Sequence, residues 1–456
     1  MYAEYAWKKY EGNKLDELMK FNEEYKEYIT YGKTERLCVD KAIELCEKAG
    51  FVNLNSVNSL KPGDKVYAVN YGKNIAAFVI GDEPITNGLA ILGAHIDSPR
   101  IDLKQNPAYE SETLAFLDTH YYGGIIKYQW VTIPLALYGV VVKKDGTKVN
   151  IAIGDNENDP IVGITDLLPH LSGDKLQKAA AKVIEGEGLD LLVGSIPAHD
   201  EEKDPTKKAI LKLLNEKYGI EEEDFVSAEI EVVPAGPARD FGLDRSMVAG
   251  YGHDDRVCAY TSLRAVLDTP KSRLTSCAVL VDKEEVGSIG ATGAQSKWFE
   301  NVIAEMINLS CDNYNDLLLR RALTNSVMLS SDVSAGYDPL YPSVNERKNS
   351  AYLGKGICFN KYTGSRGKGG CNDALPEFIA RLRNIMDAEE VNYQTAELGR
   401  VDQGGGGTIA YILANYNMQV IDAGVPVLSM HAPMEIVSKV DVYEAYLAYK
   451  AFVKNM

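Results

Sequence analysis

Histidine is scarce in this chain: six residues in 456, at His95, His120, His170, His199, His253 and His431. Any chemistry that needs imidazole must draw on these few. Cysteine is scarcely commoner, and the seven present (Cys38, Cys46, Cys258, Cys277, Cys311, Cys358 and Cys371) form no Cys-x-x-Cys pair. That excludes the usual structural zinc knuckle. Scattered thiols in odd number read as reduced and mostly buried. No apolar run reaches membrane-spanning length. Residues 1–20 are charged and lack the apolar centre of a secretory leader. These absences predict a cytoplasmic protein with no membrane partner. Positive charge is also short: 48 Lys and Arg face 65 Asp and Glu, for a net −17. Nucleic acid is therefore excluded as an expected partner, because phosphate binding needs clustered Lys and Arg.

The length points to more than one domain. Residues 13–50 carry an amphipathic helical pattern stopped at Gly50. From Lys65 the pattern turns to strand, at residues 66–69 and 76–80. Residues 89–94 are a continuous apolar run, the mark of a strand buried on both faces. Between about Gln105 and Phe241 the texture changes. Short strand-like runs at 131–138, 149–153 and 228–233 alternate with acidic stretches that read as solvated faces. After Tyr251 the α/β pattern returns, with a helix at 256–267, a buried strand at 276–281, short apolar runs at 325–329 and 425–429, and a closing helix at 441–453. The expected organisation is an α/β catalytic domain built on a mixed sheet from residues 1–104 and 242–456, interrupted by an inserted β-rich domain at 105–241.

The way the apolar runs end is informative. One stops at His95-Ile96-Asp97, one at Asp282-Lys283-Glu284-Glu285, one at Asp332 and one just before His431. His253-Asp254-Asp255 stands at the entry to a helix. In open α/β sheets the carboxyl ends of the strands line the ligand crevice. Imidazole nitrogen and carboxylate oxygen are the donors that zinc takes, with one position kept for water. A two-metal hydrolytic site needs in addition a bridging carboxylate and a carboxylate base. Each element alone has an ordinary structural explanation, such as a helix cap for Asp-Asp. Together they make one complete donor set.

The pieces Gly93-Ala94-His95-Ile96-Asp97-Ser98-Pro99, His253-Asp254-Asp255, Asp282-Lys283-Glu284-Glu285-Val286-Gly287-Ser288, Ser331-Asp332 and Leu428-Ser429-Met430-His431 run through the chain in one order. In that order they resemble the aspartyl aminopeptidase and vacuolar aminopeptidase I family of dinuclear zinc aminopeptidases. The resemblance implies a zinc-peptidase α/β domain with an inserted β-rich dimerisation domain. It implies two divalent ions, zinc or alternatively cobalt or manganese, with His95 and Asp332 on one, Glu285 and His431 on the other, and Asp254 bridging. Glu284 becomes the general base, and Asp97 orients His95. Peptides are the implied substrates, and the implied assembly is a homo-oligomer of dimers, a tetrahedral dodecamer. His170 matches a segment that reaches a neighbouring subunit's active site, and Lys361 is a candidate cation for an acidic substrate side chain. Three departures surround the substrate side: Asp255 stands where the family usually has Asn, Ala335 where it often has His, and Arg100 to Lys104 replace a basic, Pro-ended stretch. They leave the preferred N-terminal residue open. The competing readings are a dinuclear deacylase on the same scaffold and a non-catalytic assembly protein.

Overall fold

Continuous apolar runs need cover on both faces, and in this protein they form the middle of a nine-stranded mixed sheet. The computed structural model describes residues 4–456, so the first three positions of the charged N-terminal stretch lie outside the described residues. The chain divides into two compact units. One comprises the described residues up to Asp97 with Ala238–Met430 and Glu435–Met456, the other Ser98–Pro237 with His431–Met434.

In the first unit the large sheet runs Val52–Asn53, Lys65–Asn70, Asn74–Val79, Thr275–Val281, Leu89–His95, Val327–Ser330, Gln419–Gly424, Ile357–Asn360, Tyr393–Thr395. The middle four, from Thr275–Val281 to Gln419–Gly424, are mutually parallel. Alternate side chains go to opposite layers. Ala90, Leu92 and Ala94 join Tyr25, Val257, Phe378 and Tyr449 in one core, whereas Leu89 and Ile91 join Phe299, Ile303, Leu323 and Ile412 in the other. Helices Asn13–Tyr31, Glu35–Lys48, His253–Leu267, Pro376–Ala388 and Lys439–Asn455 thus cover one face, and Trp298–Ser310, Asp316–Asn325 and Ala410–Ala414 the other.

The single helix expected over residues 13–50 is two. The first ends at Tyr31 and the second starts at Glu35, with the Thr34 hydroxyl accepting the Leu37 amide at 3.3 Å as its cap. The break sits at Gly32, where a Cβ would meet the Cys38 sulfur at 2.8 Å.

A second, five-stranded sheet orders Arg239–Phe241, Met247–Gly250, Glu435–Ser438, Pro426–Leu428 and Ser334–Ala335. The run at 425–429 was expected to end at the same crevice as the other three, in one sheet. Its strand, Pro426–Leu428, belongs instead to this smaller sheet. Gln419–Gly424 supplies the central strand there, and Pro426 has no N–H with which to continue it.

The second unit is built on a six-stranded, wholly antiparallel sheet: Lys148–Ile153, Leu135–Val142, Ala228–Pro234, Arg100–Ser111, Leu114–Tyr122, Leu191–Gly194. The change of texture near Gln105 falls inside the strand Arg100–Ser111, where the pairing register shifts between Leu103 and Ala108. The strand read at 131–138 starts later, at Leu135, because Thr132 has φ 59° and Pro134 has no donor.

Candidate active site

Leu89–His95 lies between Thr275–Val281 and Val327–Ser330, with Val281 opposite His95 and Ser330 opposite Gly93. Three parallel strands therefore end at one edge. His95 is the last residue of the first. Asp282 to Glu285 follow the second, and Ser331-Asp332 follow the third. Asp254 arrives from the amino end of helix His253–Leu267. An imidazole nitrogen of His95 and carboxylate oxygens of Asp254 and Asp332 lie within 4.8 Å of one another, and so do donor atoms of His95, Glu284 and Glu285.

His95 is buried, and both sides of its ring are engaged. Its Nδ1 lies 3.0 Å from the Asp97 carbonyl oxygen and 3.3 Å from Asp97 Oδ1. That side carries the proton, because both neighbours are acceptors. Nε2 is left facing Asp254 Oδ1 at 3.2 Å and Glu284 Oε2 at 3.9 Å, on the ligand side. Asp97 does more than orient His95. Its Oδ1 accepts the Glu284 amide at 3.1 Å and its Oδ2 the Glu285 amide at 3.2 Å. One buried carboxylate thus ties the His95 strand end to the turn bearing the Glu-Glu pair. With His95 as a metal ligand, the role proposed below, Asp97→Asn should lower kcat by about 10–100-fold, the usual cost of losing an outer partner of such a ligand. The asparagine NH2 would confront one of two amide donors that now both point at oxygen. Steady-state kinetics of the folded, metal-loaded variant check this, and turnover within twofold of the parent would refute it.

The sequence reading missed the groups that hold Asp254. Glu435 Oε2 accepts the Asp254 amide at 3.0 Å. Asp255 Oδ2 accepts the His95 amide at 3.2 Å, and Arg256 Nε donates to the Ile96 carbonyl at 3.1 Å. Asp255, read as a departure on the substrate side, is fully buried and faces the backbone of His95. The only available signal was position: Asp255 and Arg256 directly follow Asp254, and Glu435 lies four residues beyond His431.

Burial pushes the Asp332 carboxyl well above the usual carboxylate range, and the charges of Asp255, Glu284 and Asp254 push it further while His95 opposes them. Burial alone would pull the His95 imidazole down. Hydrogen bonds to Asp254 and Asp97 and the charge of Glu284 carry it well above its ordinary value. The cluster therefore calls for positive charge. A divalent ion would supply it, and would keep coordinated carboxylates ionised and the imidazole neutral. The donor set of nitrogen and carboxylate oxygen fits zinc.

His431 begins the segment His431–Met434 of the second unit, three residues beyond Pro426–Leu428, with its Nδ1 3.0 Å from the Gly124 carbonyl oxygen. His170 lies in the exposed turn Pro169–Leu171. Lys361 is half-exposed, with its ammonium 3.5 Å from Asp373. In the run Gly404–Gly407 the first two glycines are closely packed: a Cβ on Gly404 would lie 1.7 Å from the Leu398 carbonyl oxygen, and one on Gly405 2.3 Å from Ser365 Cα. At those two positions glycine is required by backbone meeting backbone.

The same chain matches the aminopeptidase I zinc metalloprotease (M18) family over residues 28–453. It is 61% identical over 455 residues to a probable M18 family aminopeptidase 1 of Clostridium acetobutylicum, covering 99% of this chain and 98% of that one. Its fold superposes on the crystal structure of an M18 aminopeptidase from Thermotoga maritima with a TM-score of 0.96 at 43% identity, each chain covered in full. The yeast mApe1 dodecamer shares the fold at 20% identity, with a TM-score of 0.77 over 97% of this chain and 98% of that one. The chain belongs to the M18, or aminopeptidase I, family of zinc metalloproteases, and it is a metal-dependent aminopeptidase.

Proposed function

We propose that the enzyme cleaves the first peptide bond of a peptide with two divalent ions, His95 and Asp332 holding one, Glu285 and His431 the other, and Asp254 bridging. When bound, the ions lower the pKa of a shared water and polarise the scissile carbonyl. The observation that carries this reading is the convergence of His95, Asp254, Glu284, Glu285 and Asp332 at one edge of the large sheet. For His431 the support is its place after Leu428-Ser429-Met430 in a chain of this family.

Glu284 is the base. Its carboxylate faces the ligand side of His95, and its backbone is held independently by Asp97. It takes the proton of the attacking water and returns it to the leaving amine. The surplus of carboxylate attracts the substrate's free ammonium, which favours cleavage of the terminal residue over internal bonds. On the substrate side we place His170, presented to a neighbouring subunit, and Lys361, which would have to exchange Asp373 for an acidic substrate side chain. The second unit is the dimer-forming part, and the dimers assemble as a tetrahedral dodecamer; the dodecameric yeast relative supports this. No helix among the described residues is long and apolar enough to cross a membrane. Seven free cysteines accord with the reducing cytoplasm.

The test combines metal and substrate. Chelation should abolish hydrolysis of aminoacyl-anilides, and zinc, cobalt or manganese added back in turn should restore it. Elemental analysis should then find two ions per chain. Across a panel of all aminoacyl substrates and their N-acylated counterparts, only those with a free amine should turn over. Full activity with one ion per chain would overturn the dinuclear site, and preference for N-acyl substrates would favour a deacylase.

A further inference from the structure

Behind the turn that carries Glu284 and Glu285 lies a buried ion network. Lys73 sits in the hairpin between Lys65–Asn70 and Asn74–Val79 and is only 8% exposed. Its ammonium is 2.7 Å from Glu35 Oε1 and 3.5 Å from Asp282 Oδ2. Both carboxylates are fully buried. Asp282 Oδ2 also accepts the Thr292 hydroxyl at 2.6 Å. The same hairpin holds the segment after the turn, with Asn70 donating to the Ala291 carbonyl at 2.8 Å and Asn74 to the Thr292 carbonyl.

A buried charge cluster of this kind is poor value as a stabiliser. Desolvation of the three charged groups consumes most of their attraction, and an apolar replacement is often as stable. What the cluster does supply is position. Asp282 directly follows the strand Thr275–Val281, and the next residue, Lys283, has φ 70° as the chain turns. The residue after Lys283 is the base, Glu284. The turn is therefore fastened twice: its Glu284 and Glu285 amides to Asp97, and its root at Asp282 to Lys73 and Thr292.

We propose that Lys73 is a positioning residue for the aminopeptidase reaction, acting through Asp282 to hold the Glu284 carboxylate at its working place. The inference rests on Glu284 being the base. Lys73 is outside the proposed ligand set and acts at one remove from it. Its effect is on geometry, where a displacement of about 1 Å can cost on the order of 100-fold in rate.

The experiment compares Asp282→Asn, Lys73→Met and the double variant as full-length, metal-loaded enzyme, measuring kcat, KM, ion content and Tm. Each single variant should lose about 10–100-fold in kcat, with KM and ion content within about twofold of the parent. Because both act on one element, the double variant should be no more than about threefold worse than the weaker single, not the product of the two losses. A purely structural role would lower Tm and leave the kcat of the folded enzyme unchanged. Lys73→Met takes the ammonium from two buried carboxylates, so if it fails to fold, Asp282→Asn decides alone, since it keeps the shape and the Thr292 bond but removes the charge. Turnover within twofold of the parent for the folded variants, or losses that multiply, would overturn the proposal. Glu284→Gln separates the two ideas. If it is inactive while Lys73→Met and Asp282→Asn are normal, only the positioning role falls; if it is active, the assignment of the base falls and takes this inference with it.

Discussion

Glu284→Gln is expected to keep its fold and its metal and to lose about three orders of magnitude in kcat, the middle of the range for removal of a general base. The amide has the size and shape of the carboxylate but does not accept the water's proton at neutral pH. Three orders correspond to about 4 kcal/mol of barrier. The turn itself should be undisturbed, because the contact to Asp97 uses the backbone amide of residue 284 and not its side chain. KM should move little, as the lost interaction belongs to the transition state. Glu285→Gln makes the contrast: Glu285 is assigned to an ion, so its loss should appear first as weaker metal retention. Turnover of Glu284→Gln within tenfold of the parent, with two ions bound, would remove Glu284 from the role of base.

Gly424→Ala is expected to damage stability and activity together, although Gly424 is neither a ligand nor a substrate contact. A Cβ at this position would lie 1.8 Å from the Asp332 carbonyl oxygen, 2.4 Å from its carbonyl carbon and 2.9 Å from the Val333 nitrogen. All three are backbone atoms, so no rotamer change relieves the clash. Either the central strand Gln419–Gly424 shifts or the segment carrying Asp332 does. Overpacking of this kind costs about 1–3 kcal/mol, and more where the backbone must move. Because the displaced residue is an assigned ligand, ion content should fall as well. Gly407→Ala is the control for stability, since a Cβ there meets nothing within 4 Å. Thermal denaturation and elemental analysis of the two variants check the expectation. A Gly424→Ala protein with unchanged Tm and two ions would show that the Asp332 segment can give way without consequence.

The site and the fold were unequally legible in the amino-acid sequence. Strands covered on both faces leave continuous apolar runs, and such runs are easy to see. Their polar ends at His95, at Glu284-Glu285 and at Asp332 were therefore visible together, and the structure brings these residues to one sheet edge. The family was legible for the same reason, since its motifs are those run ends. The break in the first helical stretch was less visible, because Gly32 interrupts a pattern that both flanking helices continue.

Sequence alone determined which side chains can do the chemistry and the order in which they occur, because donor chemistry and hydrophobic periodicity are local properties. Only the tertiary structure decided what holds them. Nothing in the neighbourhood of Lys73 or Glu35 marks them as buried supports, and only Pro426 hints that the run before His431 leaves the large sheet. A polar residue is costly to bury unless its partner is supplied, and those partners come from hundreds of residues away, as when Lys73 meets Asp282 or the Asp254 amide meets Glu435. Such pairings exist only once the chain has folded.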